Sequence, residues 1–134
     1  MADTHSALIY TMVLVSAADR NMTDSELKTM GEIVRYLPVF RGFDPDSLPK
    51  TAKECAELLG DAEGLDKALD IIVDSLPERL RETAYAIACD VAAADGKATQ
   101  EELRLLEILR HRLQVGRLAA AAIERGARAR HQRL

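Results

Sequence analysis

The amino-acid sequence predicts an all-α fold, a compact bundle of about seven helices with two pseudo-symmetric helix–acidic turn–helix units. Three observations carry that expectation. Ala, Leu, Glu and Arg, which cost little in a helix, dominate the composition. Strand-like β-branched runs bounded by turn residues are missing. A stretch of chain also repeats itself at an offset of 76 residues. The 134 residues suit a single domain, residues 1–134. Apolar residues make up 48% and aromatics 4%, without Trp, so the core is expected to be aliphatic and Ala-rich.

Helix one is predicted from about Thr4 to Ala18, with Leu8, Met12 and Val15 on one face. The polar turn Asp19-Arg20-Asn21-Met22 follows. Helix two opens at Thr23, turns Leu27, Met30, Ile33, Val34 and Leu37 inward, and stops at Pro38. Residues 39–46, with Gly42 and Pro45, form the longest loop, which Val39, Phe40 and Phe43 should pin to the core. Helix three starts near Asp46 or Ser47 and tolerates Pro49 in its first turn. It ends at Leu59-Gly60, where Gly is expected to take a left-handed cap. Helix four covers about Ala62 to Leu76, with Leu65, Leu69, Ile72 and Val73 inward and Gly64 weakening its first turn. Pro77 breaks the chain before Ala-rich helix five, which reaches Ala94. The turn Asp95-Gly96-Lys97-Ala98 leads to helix six at Thr99, with Leu103, Leu106, Leu109 and Leu113 facing the core. Gly116 punctuates the chain, and a last helix reaches towards Arg130. Connections this short imply a bundle.

The internal repeat lays residues 8–37 on 84–113. Ala17-Ala18-Asp19 meets Ala93-Ala94-Asp95, Thr23 meets Thr99, and Glu26-Leu27 meets Glu102-Leu103. The shared pattern is A-A-D-x-x-x-T-x-x-E-L. Thr-x-x-Glu is a capping box, in which the Thr hydroxyl and the Glu carboxylate each satisfy a backbone amide at the helix start. Such a cap is worth about 1 kcal/mol. The small Ala pairs let helices approach closely.

Asp19 and Asp95 are less easily explained, because each stands at a helix end, where the dipole disfavours an anion by roughly 0.3–1 kcal/mol. Two compensations are open: an Asx turn to local amides, or a cation held by Asp and a nearby Glu. Capping and ligation compete for Glu26 and Glu102. An EF-hand is excluded, since Lys97 stands at the third loop position, where a ligand belongs, and the first turn lacks the required Gly and Glu. Oxygen donors suit Ca²⁺, Mg²⁺ or Mn²⁺ more than Zn²⁺.

Residues 1–116 hold 13 Lys/Arg against 21 Asp/Glu, a net of −8, while the basic tail 117–134 has a net of +4. An acidic body argues against nucleic acid as a partner. The tail arginines Arg125, Arg128, Arg130 and Arg133 suit a solvated helix end beside its negative dipole pole, and RNA, anionic lipid or the acidic body are the other options. Cys55 and Cys89 stand far apart without a CxxC spacing, as packing residues in a reducing compartment do. Residues 7–18 are too short to span a bilayer and follow Asp3 rather than a basic segment, so a cytoplasmic location is expected. His5, His111 and His131 are scattered, and neither a G-x-S-x-G elbow nor a phosphate loop is present. Glu101 and Glu102 read as dipole-favoured helix-start acids. The expectation is a non-enzyme without an organic cofactor.

The doubled A-A-D-[RG]-x-x-T-x-[SE]-E-L unit resembles the tellurite-resistance TerB family over about residues 5–120, and is similar to the amino-terminal module of membrane-linked J-domain co-chaperones. The second copy, Asp95-Gly96 to Glu102-Leu103, matches the family pattern more closely; the first has Arg20 where the family favours Gly. The resemblance implies a seven-helix bundle with pseudo-symmetric halves and a divalent-metal site at Asp19, Glu26, Asp95 and Glu102. It also implies a bacterial stress-response protein linked to tellurite and other chemical or phage challenge, at or near the inner membrane face. The alternative is a metal-free interaction module that docks a protein partner or the membrane face, motivated by the apolar loop from Val39 to Phe43 and by the opposed charge of body and tail. Self-association into a homodimer through that patch is compatible with the same residues.

Overall fold

The computed structural model describes residues 3–18 and 22–134. Among them the chain forms seven α-helices and no strand, as expected. The helices are α1 (Thr4–Ser16), α2 (Asp24–Tyr36), α3 (Leu48–Leu59), α4 (Gly64–Ser75), α5 (Arg81–Ala93), α6 (Gln100–Leu113) and α7 (Arg117–Arg130). Short 3₁₀ turns at Pro38–Phe40, Pro45–Ser47 and Glu78–Leu80 lead into or out of them.

Two helices make the centre. In α1 every position from Ala7 to Ser16 is buried, so the one-sided face expected from Leu8, Met12 and Val15 is replaced by burial all round. The reason lies in its neighbours: α3, α4, α5 and α6 pack around it, with α2 at its end. A helix that is apolar on every side can be stable only inside such a ring. Thr11 keeps its hydroxyl satisfied by donating to the carbonyl of Leu8 at 2.7 Å. Helix α5 buries Ala84, Tyr85, Ile87, Ala88, Cys89, Val91 and Ala92, and lies against α1, α2, α6 and α7. These central helices are the equivalent elements of the sequence repeat. Each touches the outer helix of the other copy, α1 with α6 and α5 with α2.

The outer helices α2 and α6 bury a narrower stripe than their leucine spacing suggests. Met30 and Val34 on α2, and Leu106, Leu109 and Leu113 on α6, are buried. The repeat-equivalent leucines Leu27 and Leu103, expected inward, are 47% and 48% exposed. Both directly follow a buried glutamate, Glu26 or Glu102, and a 100° step per residue turns them away from the core that the glutamate faces.

The connections bring further corrections. Gly60 has φ −76°, so it is no left-handed cap; the left-handed residue of that turn is Glu63, at φ 61°. Gly64 is required rather than merely tolerated, because a β-carbon there would lie 2.1 Å from the carbonyl oxygen of Leu58. The loop after α2 is pinned to the core as expected, with Phe40 buried and Phe43 half-buried. His5 is part of that pinning. Its ring stacks on Phe40, meets Phe43 edge-on, and places Nε2 2.9 Å from the carbonyl oxygen of Val39.

Candidate functional site

Both Thr-x-x-Glu segments form complete capping boxes. The Thr23 amide donates to Glu26 Oε1 at 2.9 Å, and the Glu26 amide donates to Thr23 Oγ1 at 3.1 Å. Thr99 and Glu102 repeat those bonds at 2.9 and 3.1 Å. Glu26 is 1% exposed and Glu102 3%, far below what a solvated helix-start acid shows. In Glu26 the capping role is formed. One carboxylate oxygen serves the cap, and the other, Oε2, is buried without a hydrogen-bond partner among the described residues.

Asp95 closes the turn after α5, where Gly96 takes φ 86° and its amide donates to the Ala93 carbonyl at 2.8 Å. Its carboxylate does not bond the amides of its own turn. It reaches across to the other repeat, where the Thr23 hydroxyl lies 3.2 Å from Oδ1 and 3.0 Å from Oδ2. The Asx-turn option therefore gives way to a contact between the end of α5 and the start of α2. The positive pole of α2 faces Asp95 there and offsets the unfavourable pole of α5.

Thr23 Oγ1 also lies 3.2 Å from Glu26 Oε1. One hydroxyl hydrogen thus stands among three carboxylate oxygens from two residues, and it can serve one of them well at a time. Two carboxylates around a single donor, with a further buried oxygen unpartnered, form a strongly acidic junction. A cation fits that chemistry: it would satisfy Glu26 Oε2 and offset the repulsion between Glu26 and Asp95.

Of the four carboxylates expected at a metal site, Glu26 and Asp95 are brought together through Thr23. Glu102 occupies the matching capping box of the second repeat. Asp19 lies outside the described residues, as do Arg20 and Asn21. Among the described residues no three His, Cys, Asp or Glu side chains converge into a group able to hold an ion. Sequence reasoning assigned Thr23 only a capping role and missed its second partner, Asp95. The identical spacing of the two copies is the signal that could have suggested crossed pairing.

The other chemistry-bearing residues are dispersed. Cys55 and Cys89 are free and buried, and desolvation pushes both thiols up to about 12. No helix among the described residues is long and apolar enough to cross a membrane.

The fold and its acidic junction define an all-helical domain whose sequence carries one helix–acidic turn–helix pattern twice. The family model described as tellurite resistance protein TerB matches residues 5–125, and the chain belongs to that family. Neither the curated proteins nor the solved structures contain a significant match.

Proposed function

We propose that this chain is a stress-response domain of the TerB type that binds a divalent cation between its two repeats. The observation carrying this reading is the buried, unpartnered Glu26 Oε2 beside Asp95, with one Thr23 hydroxyl between the two carboxylates. Glu26 and Asp95 would hold the ion, and carboxylate oxygens favour Ca²⁺, Mg²⁺ or Mn²⁺ over Zn²⁺. The bound ion would join the end of α5 to the start of α2 and so lock the halves together. No catalytic role is proposed. Both thiols are buried and held in the neutral form, which leaves neither as a nucleophile at neutral pH. Free thiols suit a reducing, cytoplasmic setting.

The test is calorimetric titration of chelator-treated protein with Ca²⁺, Mg²⁺, Mn²⁺ and Zn²⁺, with a melting curve for each. Binding at 100-fold over Kd stabilises the fold by about 2.7 kcal/mol, a shift easily read in a melt. Glu26→Gln and Asp95→Asn should abolish the heat and the shift. Absence of both with all four cations, or a shift unchanged in both variants, rejects the reading.

The metal-free alternative, a module docking a protein partner or the inner membrane face, loses its first motive. Phe40 is buried against His5 and is not displayed. Charge in the tail also turns inward in part, as Arg130 pairs with Asp90 at 2.6 Å and Arg133 donates to the Ala94 carbonyl at 3.1 Å. That favours the acidic body, over RNA or lipid, as the partner of those two arginines.

A further inference from the structure

Helices α6 and α7 both pack along α5, and between them lies a cleft of about 620 Å³. No comparable contact joins α6 to α7 themselves. The floor is apolar and made largely of small side chains, among them Cys89, Ala92 and Ala127, with Leu106 beside them. Leu103, half-exposed, lines the α6 wall and keeps in water an apolar surface that contact between α6 and α7 would bury.

The side-chain fastenings of α7 and its end run to α5. Glu124 meets Tyr85, Arg130 meets Asp90, and Arg133 meets the Ala94 carbonyl. These pairings advance in the same direction along both helices, so α7 is parallel to α5. Arg128, five residues before Arg133, therefore lies about 8 Å below the level of Ala94. Helix α6 runs back from the turn after α5, and Glu107, seven residues after Gln100, lies about 10 Å from its start. Both residues line the cleft, so opposite charges stand on opposite walls at nearly one height. Among the described residues neither is in an ion pair or hydrogen bond. Their nearest alternatives are engaged. Arg110, one turn after Glu107, donates to the Val115 carbonyl at 3.2 Å, and Glu124, one turn before Arg128, accepts from Tyr85.

We propose that α7 is a hinged flap, which the structure shows open, and that it closes the cleft when Arg128 pairs with Glu107. The pivot is Gly116. Val115 before it is buried with its carbonyl bonded, whereas Gly116 is exposed and opens α7 without a side-chain cap. The Tyr85–Glu124 bond lies nearer the pivot and moves least. Beyond it the fastenings are exposed arginine contacts, and such contacts hold weakly. Closure lays α7 against Leu103 and covers the thiol of Cys89.

The test is N-ethylmaleimide labelling of the full chain in EDTA, at about 10 mM and about 0.5 M salt, since the higher concentration screens exposed charges. Mass mapping reads each cysteine separately. Cys55, fully buried on α3, reports global unfolding and serves as the internal reference. Relative to Cys55, Cys89 should react about two- to fivefold faster at high salt, the change that an exposed ion pair supports. Glu107→Gln and Arg128→Gln, both at exposed positions, should show the faster rate already at low salt. Glu107→Arg combined with Arg128→Glu should restore protection.

A second measurement separates helix motion from a side chain swinging over the thiol. Spin labels replacing the exposed Arg104 and Arg125, in a Cys55→Ala, Cys89→Ala background, report the distance between α6 and α7. A shorter distance should gain population at low salt, and Glu107→Gln should remove it. Equal Cys89 rates at both salt concentrations overturn the proposal. So does a label distance that ignores salt, or a swapped pair that leaves Cys89 as reactive as the single variants do.

Discussion

At the scale of single residues, Glu26 is the point of greatest tension. Its Oε1 closes the capping box of α2 while Oε2 is buried without a partner. An unsatisfied buried oxygen costs about 1–3 kcal/mol, more when it carries charge. Glu26→Gln retains an oxygen for the cap and removes one negative charge from beside Asp95. In chelated protein this variant should therefore melt at or above the wild-type temperature, while Thr23→Ala, which removes the cap and the link to Asp95, should lose about 1–2 kcal/mol. Urea denaturation of the three proteins in EDTA measures both effects, and a Glu26→Gln variant less stable than Thr23→Ala contradicts this account. The thiols give a second prediction. Burial favours neutral Cys55 and Cys89, with folded-state values of about 12 against about 8.5 in an unfolded chain. The stability this confers is complete below the unfolded value and is lost as pH rises from there towards 12. Each thiol contributes up to about 1.4 kcal/mol per pH unit across that window. Tyr85, also raised by burial and by its bond to Glu124, steepens the upper part. Denaturation midpoints measured between about pH 8 and pH 11 should fall less steeply for Cys55→Ala with Cys89→Ala than for the wild type.

At the scale of elements, the helices and their starts were legible because their signals are local. Thr23 and Thr99 announce capping boxes, and Pro38 and Pro77 stop or separate helices, whatever the rest of the chain does. The faces were less legible. Leucine spacing suggested that Leu27 and Leu103 point inward, but the buried position belongs to the neighbouring glutamate, and a charged residue in the core violates the pattern from which faces are read. Gly64 is another such case, because the need for glycine comes from Leu58 on the preceding helix rather than from its own turn. Helix α7 shows how a polar element can be held. It buries only Ala120 and Ala127 fully, with Ala119 and Ile123 in part, and relies on Glu124 accepting from Tyr85 and on Arg130 and His131 meeting Asp90. The half-buried Tyr85–Glu124 bond should matter more than the exposed Arg130 pair. Tyr85→Phe leaves Glu124 without its donor and costs about 1–3 kcal/mol, whereas Arg130→Ala costs about 0–1 kcal/mol. Limited trypsin cleavage after Arg125 and Arg128 should accelerate more in Tyr85→Phe than in Arg130→Ala; the reverse order would show that the ion pair is the main fastening.

For the whole molecule, the fold class and the duplication could be read in advance, and the crossed assembly of the duplicates could not. Offset identity between residues 8–37 and 84–113 shows that two units exist. It does not show that α2 and α6 each reach the central helix of the other unit, because that depends on how the buried faces of α1 and α5 meet. Nor does spacing reveal the cleft beside α5, which is an absence of packing between elements distant in the chain. Since α1 and α5 are enclosed by the other helices, their amides should exchange with solvent only through global unfolding, and those of α7 through smaller openings. Hydrogen exchange followed by mass spectrometry resolves the two classes. Protection in α7 equal to that in α1 would mean that the chain opens as one unit.

The bond from Thr23 to Asp95 has a consequence for how such a protein could have arisen. Each repeat contributes a hydroxyl donor at one helix start and a carboxylate at another helix end, and here the donor of the first unit is matched by the acid of the second. A half-length ancestor could have made that match only by meeting another copy of itself. Joining two copies in one chain makes that encounter intramolecular and independent of concentration. Joined copies are free to differ, and Gly96 in the second turn stands where the first has Arg20.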